Sequence, residues 1–159
     1  MPTLPIDDDR FSAIRTFHRR LAANDPAVDW ALTGSTSFAL QGVPIDPGDI
    51  DVQTGVAGVT TIGRVFADSV TDPITWTRSE RMGSYLGALT IEGYTVEVIG
   101  ALRKRRADGT WDRPVDVTDH REYVTVHSIE VPVLSLAYEA RAYDRLGRTE
   151  RAQLLREHA

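Results

Sequence analysis

Two carboxylates placed one residue apart are the clearest chemical feature of this sequence. Asp49 and Asp51 alternate with Ile50 and Val52, β-branched residues that are typical of a strand. Because successive side chains of a strand point to opposite faces, burying the two apolar residues directs both aspartates to the other face together. Like charges side by side repel each other unless a cation lies between them, and Mg²⁺ or Mn²⁺ prefers carboxylate and phosphate oxygens. The spacing therefore predicts a divalent-metal site at this pair.

A third carboxylate has the same kind of setting further along the chain. Glu97 alternates with Val96 and Val98, so it also faces away from the packed side of its strand. If its strand lies beside that of Asp49 and Asp51, the three acids converge. Such a trio can hold two metal ions about 3.5–4 Å apart, which stabilise the attacking and leaving oxygens in phosphoryl and nucleotidyl transfer. We expect Glu97 either to complete the metal site or to accept the proton of an acceptor group.

A Gly-Ser pair precedes these acids and suggests a phosphate site. A short strand over 28–33 runs into Gly34 and Ser35, where a glycine permits close approach and a helix N-terminus offers free N–H groups. We expect Ser35 to cap this helix, and Ser35 and Ser37 to donate hydrogen bonds to phosphate oxygens. Arg81 could reach the β- and γ-phosphates. The alternatives are an ordinary strand-to-helix turn and, for Arg81, a solvated loop.

Two further groups of polar residues have no assigned role. The basic run 103–106 directly follows the strand of Glu97, where it could contact a nucleotide or a polyanionic acceptor, or form a solvated surface. The helix expected over 133–145 carries Tyr138, Glu139 and Tyr143, which could line an acceptor cleft or belong to an amphipathic packing helix.

Hydrophobic periodicity and turn residues predict the elements that position these groups. We expect helices over 7–23, 36–41, 58–69, 133–145 and 149–157, and strands over 28–33, 49–54, 84–91, 94–99 and 123–126. Glu92-Gly93 should join an antiparallel hairpin, 101–122 should be a loop, and Pro132 should lie in the first turn of a helix. Residues 1–159 are therefore predicted to form one α+β domain, a small mixed sheet with flanking helices and a C-terminal helical pair.

Composition excludes several classes of protein. The 159 residues include no cysteine, so disulfides and thiolate metal sites are excluded. The net charge of −5 argues against a non-specific nucleic-acid binder, because neutralising phosphates dominates such binding. No apolar run approaches the length of a membrane span, and the acidic N-terminus lacks a signal-peptide core. A cytoplasmic location with no membrane partner is the expectation.

The order of strand, Gly34-Ser35, helix, loop, Asp49-x-Asp51 and later Glu97 resembles the nucleotidyltransferase superfamily typified by DNA polymerase β. Thirteen residues separate Ser35 from Asp49, which fits the family pattern. The chain is most similar to the small, minimal nucleotidyltransferases of bacteria and archaea, and antibiotic nucleotidyltransferases are more distant relatives. The resemblance covers about 28–100, while the helices at about 132–158 are similar to those that follow the sheet in such proteins.

The resemblance implies a metal-dependent nucleotidyltransferase. Asp49 and Asp51 would bind Mg²⁺ or Mn²⁺, and Glu97 would complete the site. The enzyme would move a nucleoside monophosphate from an NTP, with ATP the expected donor, onto a small-molecule, protein or RNA acceptor. A protein partner or a second copy of the chain could complete the acceptor cleft. The alternative is a catalytically silent module of the same fold that binds nucleotide or a protein partner.

Overall fold

The computed structural model describes residues 5–159. Within them the α-helices are α1 (Asp8–Asn24), α2 (Gly34–Leu40), α3 (Val56–Val65), α4 (Leu136–Arg145) and α5 (Thr149–His158). The strands are β1 (Trp30–Thr33), β2 (Ile50–Thr54), β3 (Val70–Arg78), β4 (Met82–Ile91), β5 (Tyr94–Lys104), β6 (Arg121–Val126) and β7 (Ile129–Leu134). No helix in this described part is both long and apolar enough to cross a membrane.

The strands form one mixed sheet in the order β3-β4-β5-β2-β1-β7-β6. Strand β2 lies at its centre, parallel to β5 and antiparallel to β1. The hairpin predicted for β4 and β5 is confirmed, and Glu92 and Gly93 at its turn both have positive φ, as a type I′ turn requires. The predicted α+β class with a mixed sheet is therefore confirmed.

One face of the sheet packs against α1 and α3. The apolar residues that recur at helical spacing on α1 meet the alternating apolar residues of the central strands. The buried side chains of this core include Phe11, Ile14, Phe17, Leu21, Ile50, Val52, Ile62, Phe66, Val96 and Val98. Because alternate residues of a strand point to opposite faces, Asp51, Gln53 and Glu97 must project from the other face.

Helix α4 covers part of that other face. Leu136 and Ala140 of α4 pack with Phe38 of α2 and Leu155 of α5 in a second, smaller core. The predicted pair of C-terminal helices is therefore confirmed. Helix α4 of this pair packs over the sheet face that carries the acids. Helix α4 follows Ser135, whose Oγ atom accepts a hydrogen bond from the Tyr138 amide at 3.1 Å, so Ser135 is the N-cap of this helix.

The strand β7 corrects one prediction. Pro132 does not lie in the first turn of a helix but inside β7, opposite Tyr123 of β6. Pairing between β1 and β7 is confined to Leu32 and Val133, so the amide that proline lacks is not required there. The short apolar run around Pro132 fits a strand or a helix equally well by periodicity, which explains the error.

The strand β3 was not predicted at all. Most of its side chains are exposed, it contains Pro73, and its pairing with β4 has two register shifts. An edge strand tolerates proline and buries little, so its sequence lacks the alternation that marks a half-buried strand. The helix predicted over 58–69 instead ends at Val65, and a 3₁₀ turn at Ala67–Ser69 leads into β3. The loop predicted over 101–122 begins only after Lys104, because β5 extends to that residue.

Candidate active site

The sheet brings two of the predicted acids together. Asp51 of β2 lies directly opposite Glu97 of β5, and Thr33 of β1 lies opposite Asp51 on the other side. Residues directly opposite on neighbouring strands share a face, so these three side chains form one row. Asp49 lies immediately before β2, two residues from Asp51, and is exposed. The predicted adjacency of the two acid-bearing strands is therefore confirmed.

Asp51 is the carboxyl group that this arrangement perturbs most. Burial raises its pKa to about 7, and repulsion from Glu97, Asp49 and Glu139 adds to the rise. Burial and nearby like charges both disfavour the ionised form of a carboxyl group. A bound cation would oppose both effects, because it favours the ionised carboxylate.

Gly34 lies directly against this carboxyl group. Its φ of +73° is in the left-handed region that favours glycine. A Cβ atom added there would lie 2.3 Å from Oδ2 of Asp51, which is far inside van der Waals contact. The position therefore requires glycine for its backbone conformation and for the space that the Asp51 side chain fills.

The Ser35 side chain is hydrogen-bonded to a loop and does not cap a helix. Helix α2 begins at Gly34 with Thr33 as its N-cap residue, so the cap predicted at Ser35 is wrong. The Ser35 Oγ atom accepts a hydrogen bond of 2.8 Å from the Gly48 amide, and the Gly48 carbonyl accepts one from Arg10. These bonds hold the loop that delivers the chain to Asp49.

Two predicted nucleotide-binding residues lie apart from the acids. Ser37 is fully buried, and its Oγ accepts a hydrogen bond of 3.2 Å from Nε2 of Gln41. Arg81 precedes β4, whose residue Ala88 lies opposite Glu97. At about 3.3 Å per residue, Arg81 is roughly 20 Å along the strand from that row. The structure does not bring either side chain to Asp51.

Glu139 of α4 adds a fourth carboxyl group to the site. Only 5 % of the residue is exposed. It accepts hydrogen bonds from Thr33 Oγ1, at 2.5 Å, and from the Gly34 amide. Burial raises its pKa to about 7, although these two bonds and the charge of Lys104 oppose the rise. Glu139 follows Leu136 by three positions, so it lies on the apolar side of α4. A charged residue at such a position is the sequence signal for a buried carboxyl group.

A family model and a solved structure identify the fold and class of the protein. The model of the aminoglycoside-2''-adenylyltransferase family matches residues 20–159. The chain belongs to this family. A Thermotoga maritima protein assigned as a nucleotidyltransferase has 42% sequence identity to it and a TM-score of 0.84, and the match covers 96% of this chain and 93% of that one. The predicted nucleotidyltransferase superfamily and enzyme class are therefore confirmed.

Two antibiotic-modifying enzymes share the fold of this nucleotidyltransferase. The lincosamide antibiotic adenylyltransferase LnuA, solved with lincomycin bound, has a TM-score of 0.61 at 11% identity and covers 97% of this chain and 99% of its own. ANT(2'')-Ia, solved with adenylyl-2''-tobramycin, has a TM-score of 0.51 at 12% identity, and the match covers 91% and 87%. At these identities the likeness concerns the fold. A comparison with curated protein sequences finds no match.

The carboxylate oxygens of this nucleotidyltransferase are suitable ligands for a hard divalent cation. Asp49, Asp51 and Glu97 offer only carboxylate oxygens, the ligands that Mg²⁺ and Mn²⁺ prefer. Burial raises the pKa of Asp51 most, and a cation between the acids would relieve the repulsion that adds to this rise. Among residues 5–159, no three acidic or histidine side chains already converge at metal-ligand spacing. The donor set therefore fits, and the side chains would have to close on the ion.

Proposed function

We propose that the enzyme transfers AMP from ATP to a hydroxyl group of an acceptor in a reaction that depends on Mg²⁺ or Mn²⁺. The observation that carries the proposal is the pairing of Asp51 with Glu97, which places mutually repelling carboxyl groups beside the N-terminus of α2. The family is named for an adenylyltransferase, and the two antibiotic-modifying neighbours were solved as an adenylyltransferase and with an adenylylated product. These names support ATP as the donor.

Each residue of the site has a defined part in this reaction. The acceptor oxygen attacks the α-phosphorus of ATP, the bond from that phosphorus to the bridging oxygen breaks, and pyrophosphate leaves. Glu97 accepts the proton of the attacking hydroxyl group. Asp49 and Asp51 would hold the metal ion, which when bound neutralises the charge on the phosphate oxygens.

Gly34 and Ser35 bind the triphosphate in this scheme. The Ser35 hydroxyl group accepts its bond from Gly48 and retains its own proton, which it donates to a phosphate oxygen. A side chain at Gly34 would displace the Asp51 carboxylate, so glycine here keeps a metal ligand beside the phosphate that Ser35 binds. Because Ser37 is buried and Arg81 is distant, neither is included in this binding site.

The acceptor is proposed only as a class. LnuA was solved with lincomycin and ANT(2'')-Ia with an adenylylated tobramycin, so small antibiotic molecules are one candidate class. Protein and RNA acceptors are others, and a protein partner or a second copy of this chain could complete the acceptor cleft. A cytoplasmic location remains part of the proposal.

Transfer of label from α-labelled ATP tests the proposal. The wild type, with Mg²⁺ or Mn²⁺ and a panel of antibiotic, RNA and protein acceptors, should release pyrophosphate and label one acceptor. Asp51→Asn and Glu97→Gln should lose most of this turnover, with Glu97→Gln retaining ATP binding. Asp72→Asn, an exposed acid on β3, is the matched control and should retain it. Full turnover in either site variant would contradict the assigned roles.

One contact favours a catalytically silent module instead. The Glu139 carboxyl group accepts the hydrogen bond of the Gly34 amide, an N–H group that a phosphate-binding helix N-terminus would offer to its ligand. A silent module would bind ATP in calorimetry yet release no pyrophosphate with any acceptor. Pyrophosphate release above the rate of Asp51→Asn would exclude it.

A further inference from the structure

A cavity of about 600 Å³ lies between the ends of β4 and β5 and the end of α4. Its charged lining is strongly biased to one sign, although the chain as a whole has a net charge of −5. Five basic residues and one acid line it, namely Arg81, Lys104, Arg105, Arg106, Arg145 and Glu80. We name these walls the basic cavity.

A bulge in β5 turns Lys104 toward the face that carries the acids. Between Gly83 and Tyr85, β4 advances two residues while β5 advances three, from Gly100 to Arg103. Ala101 in this stretch has a φ of +50°. One extra residue reverses the alternation of side chains beyond it. Lys104 therefore lies on the same face as Glu97 rather than on the α1–α3 side.

Contacts with α4 agree with this placement of Lys104. Its Nζ atom lies 6.0 Å from the centre of the Tyr138 ring, and the side chain is half-buried. Burial lowers the pKa of Lys104, and the nearby charge of Arg145 lowers it further, while Glu139 opposes both effects. Asp112 opposes them as well, and a bound anion would act on the amine in the same direction as these two carboxylates.

Other contacts hold the walls of the basic cavity in place. Asp112 accepts bonds from Arg106 at 2.7 Å and from Arg145 at 3.2 Å, so one carboxylate orients two guanidinium groups. Nε of Arg105 donates to the Gly109 carbonyl at 3.1 Å. Each guanidinium group has five N–H donors. Because these bonds use only some of them, the others remain available to a ligand.

We propose that the basic cavity binds a phosphate group carried by the acceptor, which makes the acceptor a phosphorylated molecule. This inference rests on the proposed transfer function. Arginine forks and lysine amines recognise phosphate oxygens through charge-assisted hydrogen bonds, and a cavity of this volume accommodates a small molecule or one terminal group. An aminoglycoside, whose amino groups are protonated at neutral pH, would be repelled by the same lining.

The arginines of the basic cavity lie beyond the row of acids along β5. The Lys104 backbone follows Glu97 by seven residues on β5, roughly 20 Å at about 3.3 Å per residue, while its side chain extends back far enough for its charge to act on Glu139. Arg105 and Arg106 continue the chain past Lys104. The Arg105 amide bonds to the Arg81 carbonyl, so these walls lie farther from the acids than Lys104 does. An acceptor that extends along the sheet face, past Tyr138, can reach both places.

Calorimetry with inorganic pyrophosphate tests this inference without turnover. The titration is made on the full chain with and without a saturating, non-hydrolysable ATP analogue and Mg²⁺. We expect pyrophosphate to bind in both cases, and roughly tenfold more weakly in Lys104→Met and in Arg105→Gln, since each removes a charge-assisted contact. Arg64→Gln, an exposed arginine on α3, is the control and should bind as the wild type does.

Two outcomes overturn the inference. Unchanged affinity in both cavity variants would show that pyrophosphate binds elsewhere. Loss of pyrophosphate binding in the presence of the analogue would show that the nucleotide, and not the acceptor, occupies the basic cavity. Because Arg105 is exposed, its variant carries the test if Lys104→Met fails to fold, as thermal denaturation would show. Failure of the analogue to bind, with pyrophosphate bound normally, would instead count against the proposed transfer function.

Discussion

At the scale of single residues, Asp51 determines the electrostatics of the site. Its carboxyl group is half-buried, faces Glu97 across the strand pair and lies against the backbone of Gly34. Without a cation these surroundings favour the protonated form, so its pKa rises to about 7 from an ordinary value of 3.8. The stability of the metal-free protein should therefore depend on the protonation of this group.

The sign of this pH dependence follows from the direction of the shift. Because the folded-state pKa is raised, the folded chain binds the proton more tightly than the unfolded chain does. The resulting stability is complete below about pH 3.8 and is lost as the pH rises through about 7. Asn at this position does not titrate, so Asp51→Asn should gain stability over the wild type as the pH rises from 5 to 7.5.

Urea denaturation in the presence of a chelator measures this difference. The control is Asp72→Asn, which should follow the wild type at every pH. A difference between Asp51→Asn and the wild type that stays constant, or shrinks, over this range would contradict the raised pKa of Asp51.

Gly34 is the second residue whose substitution gives a defined outcome. Gly34→Ala should lower the free energy of unfolding by more than about 1 kcal/mol, since alanine disfavours the positive φ and its Cβ would strike the Asp51 carboxylate. Gly63 provides the matched control, because it lies within α3 with open space around its Cα. Gly63→Ala should stabilise the protein by about 0.5–1 kcal/mol. Equal effects of the two substitutions in chemical denaturation would refute the contact.

At the scale of elements, α4 connects the C-terminal helices to the site. Its Glu139 binds the last residue of β1 and the first residue of α2, Thr33 and Gly34, which are more than a hundred positions away in the chain. The second core, around Phe38 and Leu155, holds the helix against α2. The geometry of the phosphate-binding turn therefore depends on the docking of α4.

Removing that link should destabilise the fold. Glu139→Ala leaves the Gly34 amide and the Thr33 hydroxyl group without their acceptor, which should cost about 1–3 kcal/mol. Glu150→Ala, an exposed acid on α5, should change stability by less than about 0.5 kcal/mol. Chemical denaturation compares the two, and a Glu139→Ala protein as stable as the control would show that the bonds do not hold the turn.

The central strands could be predicted from the sequence, whereas the edge strand and the bulge could not. Alternation of apolar and acidic residues indicated β2 and the start of β5, because one face of each is buried and the other carries carboxylates. Strand β3 lies exposed at the edge, so burial imposes no pattern on it. The bulge at Ala101, which reverses the side of Lys104, depends on pairing with β4 and has no local signal.

The roles of Ser35 and Glu139 show the same limit at the site. Both residues act through partners distant in sequence: the Gly48 amide for Ser35, and Thr33 and Gly34 for Glu139. Local capping rules predicted a helix cap at Ser35, but the helix begins one residue earlier and its hydroxyl group binds the loop instead. Tertiary contacts therefore override a correct local propensity.

At the scale of the whole molecule, one sheet face carries two opposite concentrations of charge. Asp49, Asp51 and Glu97 form the acidic concentration, and the basic cavity, which is lined by Lys104 of β5 and Arg145 of α4, forms the other. Each concentration is unfavourable in the absence of a ligand of opposite sign. A metal–nucleotide complex at the acidic end and a phosphorylated acceptor along the face would neutralise both, which makes transfer between them the function that the charge distribution supports best.

Metal-dependent nucleotide binding tests the central claim most directly, because it needs no knowledge of the acceptor. Calorimetry should show that a non-hydrolysable ATP analogue binds the wild type in the presence of Mg²⁺ and at least about tenfold more weakly with a chelator, since the metal ion links the phosphates to the carboxylates. Asp51→Asn should lose this metal dependence, and Asp72→Asn should retain it. Binding of equal affinity with and without metal, and in the wild type and Asp51→Asn alike, would contradict the assignment of these acids to a metal–nucleotide site.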